Sequence, residues 1–89
     1  MRKCKWSFDD GRIYDGFTDD TYWNGFLNVS VTPEVRDEIV KNLRAELQDG
    51  DIDQAEAIDD IAALPIMDGL VSFAGGYATS EVEQGETAE

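Results

Sequence analysis

Asp49, Asp51 and Asp53 are spaced two apart, and Asp60 follows seven residues on. They fall at positions 1, 3, 5 and 12 of a calcium loop of the EF-hand kind, where alternate carboxylates supply oxygen ligands to a hard cation. The rest of the pattern departs from that loop. Position 6, which needs Gly for its sharp turn, is Gln54; position 8, normally apolar, is Glu56; position 12 is Asp60 in place of the longer bidentate Glu. A helix start also falls inside the segment. The expectation is therefore no dedicated metal site and no cofactor.

Acid–base and nucleophilic chemistry find little support. The chain has no His, the usual base near neutral pH. Cys4, its single cysteine, sits beside Trp6 on an apolar alternation and reads as core. Carboxylate pairs such as Asp9-Asp10, Asp19-Asp20 and Asp59-Asp60 are what a chain with 20 acids places on a solvated surface. The glycines match neither a P-loop nor a dinucleotide fingerprint. The protein is not expected to be an enzyme.

The remaining chemistry is that of a charged surface. Residues 45–69 carry eight acids and no Lys or Arg, and all seven basic residues precede them. Residues 1–48 hold nine acids against seven bases, whereas residues 49–89 hold eleven acids and no base. A solubility surface normally intersperses both signs. Asp49, Asp51, Asp53, Glu56, Asp59 and Asp60 are therefore read as a partner-binding acidic surface. Like charges at helical spacing destabilise a helix, which suggests that the charge is used. Such a surface repels nucleic acid and anionic membranes and favours a basic, nucleic-acid-binding protein or complex as partner. Tyr22 and Trp23, adjacent on one strand, cannot both face inward, and one of them is a possible aromatic anchor for that partner.

These residues need a scaffold, and 89 residues allow one modest core. An apolar fraction of 42% argues for a folded chain despite a net charge of −13. No apolar run is long enough to span a membrane, and no apolar stretch follows the charged N-terminus as in a secretory signal. With one cysteine, a reducing cytoplasm is the simplest location.

Alternation predicts strands over residues 3–8 and 12–17, turning at Asp9-Asp10-Gly11. A second turn at Thr18-Asp19-Asp20 leads to a third strand over 22–31, in which Asn24-Gly25 is a bulge or a tight hairpin. Thr32-Pro33-Glu34 starts a helix over 33–48, with Val35, Ile39, Val40, Leu43 and Leu47 on one stripe. Asp53 with Glu56 has the form of a capping box for a second helix over 54–64. Strands over 70–74 and 77–82 join at Gly75-Gly76. The expected architecture is α+β: an antiparallel sheet, made of a three-stranded N-terminal meander plus a C-terminal hairpin, with two helices packed on one face. Its order is β-β-β-α-α-β-β, with one domain over 1–83 and a mobile polar acidic tail over 84–89.

In size, charge asymmetry and α+β pattern, the chain resembles phage-encoded anti-CRISPR proteins and other DNA mimics such as antirestriction factors. Those families share no motif, so no site residue carries over. The resemblance implies an inhibitor whose acidic face occupies the basic DNA-binding surface of a CRISPR effector complex, such as a type I (Cascade) complex, in the host cytoplasm. The alternative is an acidic interaction or accessory domain of a halophilic organism or mobile element, its charge serving solubility.

Overall fold

Cys4 and Trp6 are buried and Lys3 and Lys5 exposed, as the alternation demands of a half-buried strand, β1 (Arg2–Ser7). The structure is a computed structural model and describes residues 1–74 and 76–82. Gly11, at φ +80°, closes the turn into β2 (Ile13–Trp23), its N–H donating to Phe8 O at 2.9 Å. The fully buried Trp6 ring centres the core, with ring centroids 5.5 Å from Tyr14, 5.8 Å from Phe73 and 5.9 Å from Phe8.

The expected turn at Thr18-Asp19-Asp20 does not form. These residues lie within one eleven-residue strand, as a bulge. Thr18 faces Val29 and Tyr22 faces Leu27, so four steps along β2 match two along β3 (Phe26–Val31). Side chains stand in for the interrupted ladder. Asp19 Oδ1 accepts from the Thr21 N–H at 3.1 Å, and the Thr18 hydroxyl accepts from the Asp20 N–H at 3.0 Å while donating to Asn28 O at 2.8 Å. The single strand expected over 22–31 is in turn divided at Asn24-Gly25. Both residues have positive φ, 51° and 85°, which suits a two-residue hairpin turn.

Thr32 caps α1 (Pro33–Ala45), its Oγ1 accepting from the Val35 N–H at 3.3 Å. The apolar stripe buries Ile39 and Leu43, with Val35, Val40 and Leu47 partly buried against the core. The helix ends at Ala45, earlier than the expected 48, and a loop through Gly50, at φ +84°, leads to α2 (Ile52–Ala62). Asp51 caps α2 in place of Asp53, accepting from the Gln54 N–H at 3.0 Å. The positive φ at Gly50 turns the chain early enough for the helix to begin two residues before its expected start.

The C-terminal hairpin is present, but it turns at Asp68-Gly69 (φ 54° and 80°), between β4 (Ile66–Met67) and β5 (Leu70–Ser72). The stretches expected to pair about Gly75-Gly76 part company: β5 lies beside β3, and β6 (Ser80–Glu81) lies beside β1. Gly75 and the expected tail over 84–89 lie outside the described residues. Among the described residues, six antiparallel strands run in the order β4-β5-β3-β2-β1-β6. Residues 79–82 bridge the meander's outer strands. Leu27 N–H donates to Thr79 O at 3.3 Å, the Thr79 hydroxyl donates to Leu27 O, and Val82 N–H donates to Lys5 O at 2.8 Å. The sheet therefore curls around the core. α1 packs on β2, β3 and β5, and α2 packs on α1 and contributes Ile58 and Ile61 to the core. The result is an α+β domain. No helix among the described residues is long and apolar enough to cross a membrane.

Candidate functional site

Ile58 and Ile61 face the core, which sets how α2 presents its acids. Asp53, Glu56 and Asp60 stand at i, i+3 and i+7, so they share the outward stripe. Asp59 lies to the side of that stripe, where Arg44 Nη2 of α1 reaches its Oδ1 at 3.2 Å. Asp49, in the loop before α2, and the cap Asp51 lie at the helix N-terminus, off that stripe. All six side chains are exposed. Among the described residues, Asp59 alone of the six forms a salt bridge.

The helix dipole separates the roles of these acids. Asp51 and Asp53 sit at the positive end, where carboxylates stabilise a helix. Asp59 and Asp60 lie in the last turn, which holds no basic residue, and there negative charge opposes the dipole. No group of three or more His, Cys, Asp or Glu among the described residues is arranged to hold a metal ion. Asp51 Oδ1 serves as the cap of α2, accepting from the Gln54 N–H.

Tyr22 and Trp23 are both exposed, at 62% and 56%, and Phe26 joins them at 44%. The tip of the β2–β3 hairpin projects beyond the core, so neither neighbour is forced inward. Trp23 pairs with Phe26 across the turn. It also lines a groove of about 590 Å³ together with Ala57, Asp60 and Leu64 of the α2 region and Tyr77. Tyr22 is exposed on the same tip and does not line this groove. Tyr77 is half-buried, its ring 5.0 Å from that of Phe73. Burial, and then the negative charge of Asp60, push its hydroxyl pKa upward. The sequence offers only Tyr22 and Trp23 as anchors, reads Phe26 as core, and gives Leu64 and Tyr77 no role in the site. The Asn24-Gly25 signal could have placed Phe26 opposite Trp23, but nothing local brings Tyr77 or Leu64 there.

A second cleft, of about 470 Å³, lies on the other side of Tyr77 and includes Asp9, Asp10, Glu46 and Asp51 in its lining. Its acids are largely committed to the fold. Asp10, its side chain 4% exposed, accepts from Tyr14 Oη at 2.9 Å and the Arg12 N–H at 2.8 Å, and Glu46 pairs with Arg12. Burial pushes the Tyr14 hydroxyl up to about 12. Burial also raises the Cys4 thiol, which favours the protonated, unreactive form.

The chain matches no family model, no curated protein and no solved structure.

Proposed function

We propose that this protein is a nucleic-acid mimic of the anti-CRISPR kind. Its acidic α2 face occupies the basic DNA-binding surface of a CRISPR effector complex, such as a type I Cascade complex, and keeps target DNA out. One observation carries the reading: the line Asp53, Glu56 and Asp60 on the outward stripe of α2, with no salt bridge among the described residues. At a helical rise of 1.5 Å per residue it spans about 10 Å. Along the duplex axis one DNA strand carries a phosphate per rise of about 3.4 Å, and so offers about three charges over the same length. A basic channel that releases counterions to phosphates releases them to this line as well. Retaining Asp60 against the helix dipole fits a charge kept for a partner. Neither catalysis nor direct nucleic-acid binding belongs to this reading, and the site of action is the host cytoplasm.

The test is a pull-down from nuclease-treated bacterial lysate with the protein immobilised. A CRISPR effector that elutes as salt rises and is displaced by target DNA supports mimicry. If lysates containing such complexes leave nothing bound at low salt, the reading falls.

Exposed acids elsewhere, among them Glu34, Asp37 and Glu38 on α1, favour a second reading, a halophilic domain whose charge serves solubility. Circular dichroism against KCl separates the two. A mimic from an ordinary bacterium stays folded from low salt upward, whereas a halophilic domain gains structure only as molar salt screens its repulsion.

A further inference from the structure

We infer that the groove between the β2–β3 tip and α2 receives an arginine side chain of the basic partner, the guanidinium stacking on Trp23 and donating to Asp60. This rests on the docking of a basic surface proposed above and identifies the side chain that anchors it. Two kinds of wall meet in the groove. Trp23, Tyr77 and Leu64 are apolar or aromatic, and Asp60 contributes a carboxylate with no salt bridge among the described residues. Small residues, Ala57 and Ala74, leave space between them. Arg44 of α1 is paired with Asp59.

Charge complementarity selects a cation for this space, and shape selects which one. Arginine is planar, weakly hydrated and able to stack on an indole while its fork donates to a carboxylate. Lysine is a strongly hydrated point charge, with no planar fork to stack on the indole and grip the carboxylate at once. The groove also opens beside the Glu56 stripe, so a basic surface drawn to that stripe brings its side chains to the groove mouth.

The probes are nona-arginine and nona-lysine peptides of equal charge, titrated at low and moderate salt and followed by calorimetry and tryptophan emission. Trp6 is buried and Trp23 exposed, so a change in emission on titration reports Trp23. The expected result is tighter binding of nona-arginine by about two- to five-fold, the scale of an exposed cation–π contact. That preference should collapse in Trp23→Leu and Asp60→Asn. Glu56→Gln, outside the groove, should weaken both peptides alike and keep the preference. Equal binding of the two peptides, or a preference that survives both groove variants, overturns the arginine site and leaves the acidic docking face standing. If neither peptide binds even at low salt, the docking reading itself falls.

Discussion

Arg44 of α1 holds Asp59 of α2 at 3.2 Å, while the next residue, Asp60, lines a groove together with Trp23. Two adjacent acids of the same type therefore present different charges to a partner. Asp59 is shared with a cation of its own chain, and Asp60 is available.

Charge reversal should expose that difference. Asp60→Lys is expected to weaken binding to a basic partner, or to nona-lysine, more than Asp59→Lys. Arg44→Ala should strengthen binding by releasing Asp59, while the melting temperature barely moves, since exposed ion pairs contribute little. Calorimetry of the three variants at one salt concentration checks the order. Equal losses at Asp59 and Asp60 would mean that only total charge matters.

Gly16 lies where β2 passes under the Trp6 ring. A Cβ there would stand 2.6 Å from Trp6 Nε1 and 2.9 Å from Ser30 O. The indole N–H is buried and has no hydrogen-bond partner among the described residues, so it points into tight packing from which it cannot easily withdraw. Gly16→Ala is expected to destabilise the fold by about 1–3 kcal/mol, the usual scale of overpacking. Urea unfolding followed by tryptophan fluorescence measures it. An unchanged midpoint would show that β1 and β2 separate without penalty.

Arg2 clamps two acids that come from opposite ends of the chain. Its guanidinium donates to Asp20 in the β2 bulge (2.6 and 2.9 Å) and to both carboxylate oxygens of Glu81 in β6 (2.7 Å each). These hydrogen bonds hold both carboxyls below their usual range. A depressed folded-state pKa stabilises the fold above the unfolded value, and that contribution is lost as pH falls through the folded value. Arg2→Met should therefore melt below the wild type at neutral pH. The gap should close as the solution is acidified below about pH 4, where these carboxyls begin to take up protons. Melting curves of both proteins across that range decide it, and a gap independent of pH would sink the account.

Local order was legible wherever one residue type has one physical reason to be where it is. Thr32-Pro33 sets the start of α1, the three- and four-residue apolar steps set its buried stripe, and Cys4 and Trp6 set the inner face of β1. Turn chemistry was less decisive. Asp-rich triplets suit both turns and bulges, because Asp and Thr oxygens can replace ladder partners in either. At Thr18 to Asp20 the strand pairing with β3 chose the bulge. Among Gly-containing pairs, Asp68-Gly69 made the hairpin. Its flanking residues could pair at once, whereas the chain after Phe73 was drawn to Leu27 through Thr79 and then to β1.

The sequence by itself determined the sign of the surface, the α+β composition of the fold and the run of acids that α2 would carry, since charge and periodicity are local properties. Only the tertiary structure decided which of those acids are free. Arg44 lies fifteen positions before Asp59, and Tyr77 seventeen after Asp60, and only packing brings them together. Trp23 reaches the same groove from a hairpin at the other end of the chain. Such a meeting depends on how the sheet curls and where the helices rest on it, which is set by the shape of the whole core.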